Sequence, residues 1–119
     1  MNKFINIAIV GLGQIGIHLL NELNVKKKEI EVKTGKKINI VAVSAKNINK
    51  KRKYKFNKKK FFKNPLDILK KCNVDILFEA IGQSDGMSKT IVETALINKI
   101  HVITPNKALI SKHGDYLAK

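Results

Sequence analysis

Gly11, Gly13 and Gly16 are spaced as G-x-G-x-x-G, with Leu12, Gln14 and Ile15 between them, directly after the apolar run Phe4 to Val10. The chemistry this spacing suits is the holding of a pyrophosphate. The first glycine permits a tight turn, the second lets backbone approach phosphate with no Cβ in the way, and the third allows close packing of the following helix on the strand. A helix opening at Gln14 would aim its unpaired N–H groups and partial positive charge at the anion. As a bare pattern the triplet is weak. A strand before it, a helix after it and a second strand within the same unit make it strong.

Cofactor choice turns on the end of the second apolar run, Ile38 to Val43, which continues as Ser44-Ala45-Lys46-Asn47. An NAD-selective site of this kind places Asp or Glu against the ribose 2′-hydroxyl. Here no carboxylate is available, and Lys46, Lys50, Lys51 and Arg52 would favour a 2′-phosphate, although a lysine is a point charge without the bidentate fork of arginine. The expectation is NADP (as NADPH), with NAD the other choice. The competing reading is that these lysines belong only to a charged surface.

Two further groups stand where a sheet would end. Ile81-Gly82-Gln83-Ser84 leaves one apolar run, and Gly82 would permit close approach of a nicotinamide. Thr104-Pro105-Asn106-Lys107 leaves another. Lys107 is either an ammonium within reach of cofactor and substrate or one more surface lysine, and Asn106 either caps the next helix or bonds the ligand. Glu79 is expected to pair with a neighbouring lysine. Cys72, His18, His101 and His113 have no metal-ligand spacing and no nucleophile partner, so no metal site is expected.

The elements that must position these groups alternate. Strands are expected at 4–10, 38–43, 74–80 and 100–104, and helices from Gln14 to about Asn24, from Leu66 to Lys71, from Ser88 to Asn98 and over 107–119. Residues 25–37 read as a polar return, and 46–63, with ten Lys or Arg, as an irregular surface segment. Strand-helix alternation predicts an α/β fold with a doubly wound parallel sheet covered on both faces.

At 119 residues a single domain is expected over 1–119. No apolar run reaches membrane-spanning length. A single cysteine excludes an internal disulfide framework, which makes the cytoplasm the default compartment. The net charge of +15 is concentrated, since no acidic residue lies between Glu31 and Asp67. It fits a lysine-biased solvated surface or an anion-binding face.

Four blocks together resemble the homoserine dehydrogenase family: Gly11-Leu12-Gly13-Gln14-Ile15-Gly16, Val41-Ala42-Val43-Ser44-Ala45-Lys46, Asp75-Ile76-Leu77-Phe78-Glu79-Ala80-Ile81-Gly82, and His101-Val102-Ile103-Thr104-Pro105-Asn106-Lys107-Ala108-Leu109. The resemblance covers nearly the whole chain, and the last block is its most specific part. It implies a Rossmann-like domain of an oxidoreductase in the aspartate pathway. The reaction would be the reduction of L-aspartate 4-semialdehyde to L-homoserine with NADPH or NADH, feeding threonine and methionine synthesis. Lys46 would then contact the 2′-phosphate, and Lys107 would lie beside cofactor and active site in a catalytic role. The resemblance also implies a truncated chain, inactive alone, whose substrate and dimerisation domain would follow residue 119, the full-length enzyme being a homodimer. Two alternatives remain: another aspartate-pathway dehydrogenase of the same fold, or a stand-alone basic module binding nucleotide or nucleic acid. The latter would use Tyr54, Phe56, Phe61 and Phe62 as stacking platforms among the lysines.

Overall fold

A computed structural model describes residues 4–45, 49, 51–52, 56–81 and 86–104. Strand β1 (Phe4–Val10) leads into helix α1 (Gln14–Thr34) and strand β2 (Lys37–Ser44). A single 3₁₀ turn (Lys58–Lys60) precedes the short strand β3 (Phe61–Phe62) and helix α2 (Pro65–Lys71). Strand β4 (Ile76–Glu79), helix α3 (Met87–Ile97) and strand β5 (His101–Ile103) complete the described elements.

The five strands form one sheet in the order β3-β2-β1-β4-β5, and every pairing is parallel. The chain builds outward from β1 to β3, then crosses back to add β4 and β5 on the other side. The carboxyl ends of β1 and β4 therefore flank the place where strand order reverses, which is where open α/β sheets bind ligands.

Alternation along β1 explains the two-sided core. Ile7 and Ile9 join Leu12, Ile17, Leu20, Ile40 and Val43 under α1. Ala8 and Val10 join Ala42, Ile68, Leu77, Ile91 and Val92 under α2 and α3. Successive strand residues point to opposite faces, so a strand with four apolar residues in a row, Ile7 to Val10, needs helices on both sides. The doubly wound arrangement read from the sequence is present.

Three expectations need correction. Helix α1 does not stop near Asn24 but continues to Thr34. Past Leu23 it loses its apolar stripe, and Val25 and Val32 point to solvent. Good helix formers and two i,i+4 pairs, Glu22–Lys26 at 3.2 Å and Glu29–Lys33 at 3.0 Å, carry it on. It ends at Gly35, whose N–H donates to the Glu31 carbonyl at 2.8 Å. Second, the segment read as irregular contains β3: Phe61 pairs with Val43 and Phe62 with Ser44, and the two rings pack on opposite faces of the sheet. Third, two strands are shorter than expected, β4 spanning 76–79 and β5 spanning 101–103. Helix α2 matches closely: Asn64 caps it through its side chain on the Leu66 N–H at 3.0 Å, and Pro65 occupies its first turn.

Cys72, at the end of α2, is half-buried, and burial pushes its thiol up from the ordinary 9.0 against a smaller lowering by Lys71. A raised thiol carries less thiolate at mildly alkaline pH. Iodoacetamide at pH 8 should therefore alkylate Cys72 more slowly in the folded chain than in urea, and equal rates would contradict the packing described for it.

Candidate functional site

The carboxyl edge of the sheet is tied together by a short series of hydrogen bonds. The Gly11 N–H donates to the Ser44 carbonyl at 2.7 Å, joining the glycine-rich turn to the end of β2. The Ala80 N–H donates to the Val10 carbonyl at 2.7 Å, joining β4 to β1. Arg52 Nε donates to the Leu12 carbonyl at 3.2 Å, which brings the basic segment onto the same turn. Ser44 is itself buried, and Ala45 packs at the margin of the core under α1.

Within the turn the three glycines play different parts. Gly11 has φ +96°, and a Cβ there would lie 2.7 Å from the Ala80 carbonyl carbon and oxygen. Only glycine fits that conformation and that contact together. A Cβ at Gly16 would run into the Gly11 carbonyl oxygen, so the first turn of α1 rests directly on the glycine-rich backbone. Gly13 is the opposite case: its backbone is extended, and a Cβ there would meet no atom of the described residues within 4 Å. Nothing among the described residues requires a glycine at 13. The room it leaves lies at the N-terminus of a 21-residue helix that has no side-chain cap and no acidic residue in its first turn. Gly13, Gln14 and Ile15 are exposed there, while the side chain of Leu12 is buried. An open cradle of backbone N–H groups at the positive end of a long helix fits a pyrophosphate.

Among the described residues Glu79 has no lysine partner, contrary to expectation. It is fully buried at the end of β4, where one carboxyl oxygen accepts the Ile81 N–H at 2.7 Å and the other accepts the Thr104 hydroxyl at 2.6 Å. A side chain facing inward at the sheet edge meets donors from the two strand ends beside it. The carboxyl thus fixes the exits of β4 and β5, from which the Gly82 and Lys107 segments depart. Thr104→Val removes one of these donors and leaves a buried oxygen short of a partner, which should cost about 2 kcal/mol in a denaturant melt. An unchanged midpoint would show that the clasp does not hold the two strand ends.

Of the residues expected at the site, the structure brings Gly11, Leu12, Gly13, Gln14, Ile15, Gly16, Ser44, Ala45 and Ile81 to one sheet edge. Lys46, Gly82, Asn106 and Lys107 lie outside the described residues, as does the helix expected over 107–119. Sequence reasoning missed the Glu79–Thr104 bond, which no local pattern announces. It counted Arg52 only as one cation among several, although Arg52 is the chain's one arginine among its lysines.

Of the aromatic residues near the basic segment, Tyr54 lies outside the described residues, and Phe56, Phe61 and Phe62 are committed to packing. Phe56 and Phe61 stack with centroids 6.0 Å apart, the Arg52 guanidinium lies 5.6 Å from the centre of the Phe56 ring, and Phe62 packs against the core on the other face. Rings so engaged are poorly placed to stack on bases. Among the described residues no helix is long and apolar enough to cross a membrane, and no cluster of three His, Cys, Asp or Glu could hold a metal ion.

Comparison with known proteins decides the family. The family model described as the homoserine dehydrogenase NAD-binding domain matches residues 11–119. The chain belongs to that family. Homoserine dehydrogenase of Neisseria gonorrhoeae is 30% identical over 113 residues, covering 95% of this chain, and that of Bacillus subtilis is 28% identical over 115 residues, covering 97%. A crystal structure of S. aureus homoserine dehydrogenase superposes with a TM-score of 0.88 at 30% identity over 98% of the chain. One from Thiobacillus denitrificans gives 0.82 at 27%. The chain spans 26% of the length of the two curated homoserine dehydrogenases and 30% of the S. aureus chain. As a member of the homoserine dehydrogenase NAD-binding domain family it is a nicotinamide dinucleotide-binding domain, with the Rossmann-like fold of its structural relatives.

Proposed function

We propose that this chain is the dinucleotide-binding portion of a homoserine dehydrogenase and that its cofactor is NADPH. The observation that carries the reading is Gly13, where a Cβ would meet no atom of the described residues within 4 Å and the space lies at the N-terminus of α1 at the reversal of strand order. When bound there, the cofactor would supply the hydride that reduces the aldehyde of L-aspartate 4-semialdehyde to L-homoserine. The chain's own residues hold it: the N–H groups of Gly13, Gln14, Ile15 and Gly16 receive the pyrophosphate, and Ser44, Ala45 and Ile81 line the strand ends on either side. Lys46 contacts the 2′-phosphate, Gly82 lets the nicotinamide approach, and Lys107 acts beside cofactor and substrate. The preference for NADPH is supported by β2 ending in Ser44 with no carboxylate following it, and by Arg52 folded against the glycine-rich turn.

Substrate binding and dimerisation belong, in this reading, to a further domain of the kind that makes up the rest of the longer relatives. The complete enzyme works in the cytoplasm as a homodimer. The activity test is homoserine-dependent reduction of NADP⁺. This chain alone should give none, and joined to the remaining part of S. aureus homoserine dehydrogenase it should give turnover. A joined protein that binds NADPH yet leaves homoserine unoxidised would redirect the reading to another dehydrogenase of the same pathway.

A further inference from the structure

Burying a carboxyl group is costly, and the cost is offset only when its oxygens find donors. Glu79, the last residue of β4, is such a group: it is 0% exposed, one oxygen accepts the Ile81 N–H at 2.7 Å, and the other accepts the Thr104 hydroxyl at 2.6 Å. Neither donor is a cation. By stability alone an apolar side chain of similar volume would serve as well at this place. An apolar side chain cannot, however, fix the directions of two separate chain segments at once.

The contacts continue to the glycine-rich turn. The Ala80 N–H donates to the Val10 carbonyl at 2.7 Å, and a Cβ at Gly11 would lie 2.7 Å from the Ala80 carbonyl carbon and 3.0 Å from the Ile81 nitrogen. Glu79 therefore links the exits of three neighbouring strands, β1, β4 and β5. A dinucleotide whose pyrophosphate sits at the turn after β1 spreads its halves to either side of the strand-order reversal, with the adenosine toward β2 and the nicotinamide toward β4. Gly82 follows Ile81 directly, and Lys107 lies three residues beyond Thr104. We propose that Glu79 is a positioning residue for the nicotinamide half of the cofactor. Through Ile81 and Thr104 it sets the strand ends against which the ring rests, without touching the ring itself. Holding those ends in place before the ligand arrives lowers the ordering lost on binding. The proposal rests on the cofactor reading above.

The test compares two ligands that differ only at the nicotinamide, NADPH and 2′-phospho-ADP-ribose, by calorimetric titration of the purified chain and three variants. The unsubstituted chain should bind NADPH about tenfold more tightly. Glu79→Met keeps the volume and removes both acceptors. It should bring the two affinities to within about twofold of each other through loss of NADPH affinity, with 2′-phospho-ADP-ribose changed by less than about threefold. Glu79→Gln keeps an oxygen for the Ile81 N–H and an amide to meet the Thr104 hydroxyl, and should retain most of the preference. If Glu79→Met melts below the assay temperature, Thr104→Val decides the matter, with a loss of at least about threefold in the preference. A merely structural Glu79 would weaken both ligands together and leave their ratio in place, and that result overturns the proposal. So does an unsubstituted chain that binds both ligands equally, since the nicotinamide then gains nothing from the ends that Glu79 holds. An unsubstituted chain that binds neither ligand would contradict the cofactor reading itself, and this inference with it.

Discussion

Gly13→Val should abolish measurable NADPH binding, a loss of at least about a hundredfold, while the chain stays folded. The two effects separate because of what surrounds the residue. The backbone at 13 is extended, which valine adopts readily, and no atom of the described residues lies within 4 Å of the added Cβ. The folding cost is that of a poorer N-cap, about 1 kcal/mol or less, equivalent to roughly 4 °C in a chain of this size. The added side chain instead occupies the space into which a pyrophosphate must come to reach the N–H groups of α1. Thermal melting and cofactor titration on the same sample check both halves. A variant that binds as well as the parent would place the cofactor elsewhere. One that no longer folds would show that the space is not open.

Gly16→Ala should behave in the reverse sense. Inside a helix, replacing glycine by alanine ordinarily gains about 1 kcal/mol. Here the methyl group would run into the Gly11 carbonyl oxygen. That carbonyl cannot easily retreat, because the Gly11 N–H is held by Ser44 and Gly11 itself lies against the Ala80 backbone at φ +96°. Overpacking against backbone outweighs the propensity gain, and a net loss of about 3 kcal/mol, or roughly 10 °C, is expected in a melt followed by circular dichroism. A rise in melting temperature would contradict the close approach of α1 to the glycine-rich turn. Together the two substitutions assign one glycine to the ligand and the other to the fold.

Those glycines were the most legible part of the sequence. An apolar run, three glycines at fixed spacing and an apolar helical stripe state the strand, turn and helix locally, and the structure has them at 4–10, 11–13 and from Gln14. What remained hidden depends on partners distant along the chain. The second half of α1 carries no apolar stripe and is sustained by propensity and surface ion pairs, so hydrophobic periodicity stopped ten residues early. Strand β3 is two phenylalanines among lysines, and only the end of β2 beside it makes them a strand. Glu79 looked like a partner for one of many lysines, whereas its partners come from the backbone two residues on and from Thr104, twenty-five residues away. Arg52 stands out in sequence only as the one arginine among lysines, and its contact with Leu12, forty residues earlier, is written in no local pattern.

Amide chemical shifts of the ¹⁵N-labelled chain during titration with NADPH report residue by residue where the dinucleotide sits. The predicted result is saturable perturbation of Gly11, Gly13, Gln14, Ile15, Gly16 and Ala45, lost in Gly13→Val. Perturbation confined to the lysine-rich stretch from 46 to 63, with the glycine-rich turn unmoved, would show an anion bound to a basic surface and contradict the assignment.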